Sequence, residues 1–277
     1  MKLTIRIILT SLSLVTMVAW AQEPTSLQEQ YQALVESYFA YYEKGEIDEA
    51  QSALEQALTL IPDAESNFLL RGNLAEILVA RGDTVPALEQ LSIALGERPG
   101  VEALRVRRAE LLEEKGLLQE ALMDLDQLVA NAPDKEVRRF NRARVRSRLE
   151  LYEGAANDLQ YIIEHNDAAY LPRIALAEVE EKRGNAIEAE RILSHLINTY
   201  PATPIAYRRR AELLMRQERK AEALADIRKV INDLQPVEAE DYRIRAEIWL
   251  LYGEKAMAER DFAKAESLSA SSTEKDL

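Results

Sequence analysis

The chain contains no cysteine, which excludes disulfides, thiolate metal sites, a thiol nucleophile and lipid attachment at an N-terminal cysteine. Glycine and proline are scarce, with nine of each among 277 residues, so no linker rich in either divides the chain. His165 and His195 are the only histidines, and neither stands at a spacing that suits a metal-ligand set or a catalytic triad. Both are expected to be surface or packing residues. No glycine-rich phosphate loop occurs. These absences leave no catalytic residue, metal site or cofactor to assign, and the expectation is a protein that is not an enzyme. Basic charge is outweighed as well: the formal net charge is −13, or −15 without Lys2 and Arg6. Nucleic acid is therefore not expected as a partner, because binding it requires clustered cations that neutralise phosphates.

Long apolar runs are also missing, with one exception at the start. Residues 1–21 begin with Lys2 and Arg6, continue through an uncharged run from Ile7, and end at Ala19-Trp20-Ala21. That is the layout of a secretory signal peptide, with small residues at the two positions that a signal peptidase reads. The run from Ile7 to Ala21 has 15 residues, fewer than the roughly 18 to 20 needed to span a bilayer. Cleavage before Gln22 is expected, the alternative being an uncleaved anchor. The expected location is periplasmic or secreted, with membrane contact only through the transient signal peptide. Residues 22–30 form a lead-in, in which Ser26 and Glu29 make a capping box just before helical periodicity begins.

What the chain has in abundance is a repeated pattern. Ala75 and Ala87 lie twelve residues apart, and the same spacing joins Ala109 to Ala121, Ala143 to Ala155, Ala177 to Ala189, Ala211 to Ala223 and Ala246 to Ala258. In one register the repeats start at residues 31, 68, 102, 136, 170, 204 and 239. Position 20 is alanine in all seven, from Ala50 to Ala258. Position 24 reads Leu54, Leu91, Leu125, Leu159, Leu193, Ile227 and Phe262, and position 32 supplies Pro62, Pro99, Pro133 and Pro201. Two antiparallel helices approach closely only where both lack bulk, so small residues at positions 8 and 20 mark a crossing point. Gly45, Gly82, Gly116, Gly184 and Gly253 fall between the helices, where a positive φ is often needed.

This pattern resembles the tetratricopeptide repeat (TPR) family, in its secreted or periplasmic bacterial form. The resemblance implies an all-α fold, a right-handed α-solenoid of about seven TPR-like helix-turn-helix repeats over residues 31–270, with 271–277 as a flexible tail. Several departures stand out. Tyr38 replaces the small residue at position 8 of the first repeat, and Glu65 to Asn67 are extra residues expected to lengthen a loop. Arg146 and Glu180 occupy position 11, which is apolar elsewhere, and are expected to meet as a partly buried pair. Glu259, Arg260, Asp261, Lys264 and Glu266 suggest a last helix that caps the array.

In the family, positions 2, 5, 9 and 12 of the first helices line a groove that receives an extended peptide or a partner helix. Carried onto this chain, position 9 reads Phe39, Glu76, Glu110, Arg144, Glu178, Glu212 and Glu247. The glutamates make either an acidic groove or a solvated face, with Arg208 and Arg243 placed to neutralise Glu212 and Glu247. Val35, Phe39 and Tyr42 share one helical face and offer an aromatic platform, unless the first repeat uses them to cover its own core. The lysine-and-asparagine pattern with which some members grip a terminal carboxylate is absent. Arg138, Arg139, Arg142, Arg144, Arg146 and Arg148 form a basic run whose neighbours Glu110, Glu113, Glu178 and Glu181 point to a self-neutralising stripe. The resulting expectation is a non-enzymatic protein-protein interaction scaffold or adaptor in the bacterial cell envelope that binds a protein partner in its groove. The alternative is a module that binds polysaccharide or cell-wall polymer. Intact-mass measurement of the protein from its own cells is expected to give a chain starting at Gln22, and a chain starting at Met1 would mean that the leader is retained.

Overall fold

In the computed structural model the described residues are 26–273, so the leader and its cleavage site lie outside them. The chain order is α1 (Leu27–Lys44), α2 (Ile47–Leu60), α3 (Asn67–Arg81), α4 (Thr84–Glu97), α5 (Glu102–Glu114), α6 (Leu118–Asn131) and α7 (Glu136–Arg148). It continues with α8 (Tyr152–His165), α9 (Tyr170–Lys182), α10 (Ala186–Thr199), α11 (Pro204–Arg216), α12 (Lys220–Asp233), α13 (Ala239–Tyr252) and α14 (Lys255–Thr273). The fold is an all-α helical repeat solenoid built from seven helix pairs among the described residues. They fall into two compact halves, residues 26–134 and residues 135–273. The last helix runs through Thr273, three residues into the stretch expected to be tail.

Local chemistry sets the ends of these helices. Ser26 Oγ accepts from the Glu29 backbone N–H, and the Glu29 carboxylate accepts from the Ser26 N–H, which closes the capping box at α1. Within each pair the chain reverses through a left-handed residue, and five of these are glycines, with φ from 75 to 87°. The fourth and sixth repeats have none. There Glu150 at φ 61° and Glu218 at φ 60° take the same turn, each at a cost of about 1 kcal/mol relative to glycine. The turn is closed by the same bond as in the glycine repeats, with Leu151 N–H donating to Arg146 O at 2.8 Å and Arg219 N–H to Leu214 O at 2.9 Å.

The crossing points pack as the small residues require. All seven position-20 alanines are 0% exposed, and the position-8 residues are buried with them. Tyr38 is the exception in size only: at 1% exposure it belongs to the core. Burial, followed by the neighbouring Tyr42, pushes its hydroxyl well above the usual tyrosine range. Asn67 departs from expectation. It begins α3 rather than extending a loop, and it is fully buried. Its amide nitrogen donates to Ile61 O and Pro62 O at 2.8 Å, and its oxygen accepts from Tyr31 Oη at 2.9 Å. The longer first connection is thus pinned from inside by one side chain that satisfies three polar partners.

Beside the alanine gap lies a feature that helical periodicity conceals. A buried aspartate on the second helix accepts two bonds from an arginine sixteen residues earlier: Arg108 with Asp124, Arg142 with Asp158, Arg210 with Asp226, and Arg245 with Asp261. In the fifth repeat the same two positions hold Leu176 and Ile192, both buried in one apolar cluster. Three arginines of the basic run of α7, Arg139, Arg142 and Arg146, converge on Asp158 at this site. The expected Arg146–Glu180 pair does not form. Arg146 turns to its own second helix, while Glu180 accepts from Arg183 and Asn185 at 2.7 Å. Asp226→Ala alone is expected to destabilise by about 3 kcal/mol, because Arg210 loses its buried partner. The double change Arg210→Leu with Asp226→Ile copies the fifth repeat and should stay within about 1 kcal/mol of the parent. Urea denaturation of the three chains measures both.

Candidate functional site

The residues that the resemblance assigns to the groove lie on the first helix of each pair. In the first half, Val35 and Tyr42 pack partly buried against the core, and Phe39 is 37% exposed. The Phe39 ring centroid is 4.8 Å from that of Tyr38, and Tyr38 is 5.9 Å from Tyr42. The expected platform therefore divides: Val35 and Tyr42 pack half-buried against the core that holds Tyr38, and Phe39 presents its ring to solvent. Burial, and then the charge of Glu76 on α3, hold the Tyr42 hydroxyl above its ordinary pKa.

Glu76 is held from α5. Arg107 Nε donates to Glu76 Oε1 at 2.8 Å and Nη2 to Oε2 at 3.1 Å, while Nη1 reaches Glu110 at 3.4 Å. Burial by itself would lower the Arg107 pKa, but the hydrogen bonds and charge of Glu76, and then Glu110, hold it above its ordinary value. The equivalent residue of the second repeat is Asn73. It is 8% exposed, and no hydrogen bond to its amide occurs among the described residues.

The second half repeats the arrangement and then breaks it. Arg209 Nε lies 2.9 Å from Glu178 and its Nη1 2.9 Å from Glu212, so one guanidinium again bridges the position-9 glutamates of successive repeats. Arg216 pairs with Glu181 through two nitrogens. In the seventh repeat the bridging position is Ile244, which is buried. Glu247 has no ion pair among the described residues, and burial, followed by Glu240 and Glu212, pushes its carboxyl above the usual range. Arg144 lies exposed on α7.

Arg208 binds Asp241 and Glu238, and Arg243 binds Glu240 and Ser269, so neither neutralises the glutamate expected of it. Arg107 and Arg209 do this work from position 6, which was not among the positions carried over from the family. Their signal in the sequence was an arginine three residues before Glu110 and Glu212, on the same helical face. Asn73 also stands at position 6, so the first-helix face does hold an asparagine, although position 5 supplies Val35, Gly72 and Val106 and no lysine. His165 stacks on Tyr161 at 4.0 Å, its Nδ1 2.7 Å from Tyr161 O, and His195 is exposed. Among the described residues no helix is long and apolar enough to cross a membrane.

The state of Glu247 gives a pH dependence. A carboxyl with a raised folded pKa binds its proton more tightly when folded, so its contribution to stability declines as pH rises through that pKa. Glu247→Gln is therefore expected to unfold at a higher temperature than the parent at pH 7. The gap should close as the pH falls toward about 4, where the parent carboxyl is itself protonated. Thermal denaturation of both chains across this range checks it.

No family model and no curated protein matches the chain. Solved structures do. PilW, a widely conserved type IV pilus biogenesis factor, is 18% identical, with a TM-score of 0.56 over 74% of this chain and 94% of its own. YrrB, described as a TPR protein with an unusual peptide-binding site, is 15% identical, with a TM-score of 0.50 over 76% and 98%. Both show the shared fold alone. A tetratricopeptide repeat protein from Parabacteroides merdae ATCC 43184 is 32% identical, with a TM-score of 0.66 over 87% of this chain and 93% of its own. With seven in-register helix pairs and identity at that level over most of both chains, this protein belongs to the tetratricopeptide repeat family.

Proposed function

We propose that the protein is a non-enzymatic interaction scaffold of the bacterial cell envelope, holding a partner peptide or helix on the face formed by its first helices. The observation that carries this reading is the pairing of an outward Phe39 with the open amide of Asn73 beside the Glu76–Arg107 bridge. An exposed aromatic gives contact area at little entropic cost, and an open amide on a side chain otherwise buried is well placed to bond to the backbone of a bound chain. Val35, Phe39, Tyr42, Glu76, Glu110, Arg144, Glu178, Glu212 and Glu247 remain the residues assigned to that face. YrrB, a TPR protein with an unusual peptide-binding site, supports the reading by analogy of fold. The envelope location rests on the signal-peptide layout of residues 1–21. Polymer binding has less to stand on, since Phe39 alone of the expected aromatic platform is open.

A photo-crosslinking amino acid placed at Phe39 tests the proposal against one placed at Glu120, which is exposed on the second helix of its repeat. Discrete protein adducts in intact cells are expected from position 39 and not from position 120. Equal yields from both positions, or adducts to glycan alone, would overturn it.

A further inference from the structure

The first half carries enough detail to say what kind of segment its groove admits. At the α1 end the inward side chains are uncharged: Val35, Phe39 and Tyr42. In the middle, Asn73 is buried apart from an amide that bonds to nothing among the described residues. At the α5 end a single guanidinium serves two carboxylates. Arg107 gives Glu76 two short bonds and reaches Glu110 at only 3.4 Å, and the Glu110 side chain is 51% exposed. The α5 end is therefore short of positive charge. No lysine stands at position 5 in any of these three repeats to receive an anion.

Resting on the groove reading above, we propose that this half binds the interior of an extended partner segment that carries one aromatic or aliphatic anchor and one lysine or arginine. The anchor lodges on Phe39, the segment's backbone satisfies Asn73, and the cation meets Glu110. The geometry also gives their separation. First helices of adjacent repeats meet through long side chains, as Arg107 meets Glu76, so each step is at the upper end of the packed-helix spacing, about 9 to 10 Å, and α1 and α5 are separated by about 18 to 20 Å. An extended chain rises about 3.3 Å per residue, which places the anchor and the cation about five or six residues apart. A free C-terminal carboxylate is disfavoured, because it would face Glu76 and Glu110 without an uncommitted cation.

Two random twelve-residue display libraries separate the outcomes when selected on the full chain, one displaying interior segments and the other free C-termini. The expected consensus comes from the interior library and pairs an aromatic or aliphatic residue with lysine or arginine five or six positions away. A synthetic peptide of that consensus should bind about tenfold more weakly to Phe39→Ser, and by a similar factor to Asn73→Asp, as for interface anchors. Glu110→Gln should remove the preference for lysine over glutamate in that peptide. Thermal unfolding of each variant confirms that it is folded, and Phe39→Ser, altered at an exposed position, keeps the test valid if Asn73→Asp is not. A consensus that is acidic or ends in a free carboxylate would overturn this inference while leaving the groove reading intact. No enrichment from either library, or binding that is indifferent to Phe39→Ser, would overturn both.

Discussion

The interaction on which the rest depends is the crossing of the two helices in each repeat, where buried alanines bring the backbones together and an adjacent site must then be filled. Four repeats fill it with an arginine–aspartate pair and one fills it with Leu176 and Ile192. That both solutions occur in one chain fits the general rule that a well-made buried ion pair and an apolar pair of similar size stabilise to a comparable degree. The ionic version has a further consequence, because an aspartate without its arginine would be an uncompensated charge in the core. It specifies which helix face turns inward.

That choice of face reaches the candidate site directly. Arg107 and Arg108 are adjacent, as are Arg209 and Arg210, and successive helical residues point about 100° apart. The second of each pair enters the crossing, and the first is thereby aimed at the glutamates of position 9. Core and first-helix face are therefore coupled through a single residue step of the backbone. Where the pattern fails, at Ile244, the glutamate beside it is left with other carboxylates for company, and its pKa rises.

The ends of the array follow the same packing logic. Position 10 is a buried Ile, Leu or Val in the second to seventh repeats and an exposed Ala40 in the first. Position 28 is Leu, Val or Ile in six repeats and Glu266 in the last. A repeat that stacks on a neighbour needs an apolar side chain at these positions, and a terminal repeat must not expose one. The chain thus marks both ends of its described array by a change of one residue type.

The sequence by itself determined the architecture: alanines at positions 8 and 20, apolar residues at 24, and prolines near 32 recur in register, and each has a packing reason that holds wherever two helices cross. It also determined the α1 cap and the five glycine turns, because both depend on residues close in the chain. Tertiary structure alone decided which charged residue meets which. Arg146 had two buried carboxylates within reach and bonds to Asp158, on its own second helix, while Glu180 already accepts from Arg183 and Asn185. Arg107 rather than a groove-position residue became the bridge to Glu76, and Asn67 became a buried plug instead of a loop residue. Long side chains reach several partners at similar cost, so their pairing is settled by the burial of each partner and by the bonds it already makes, which exist only once the helices have packed.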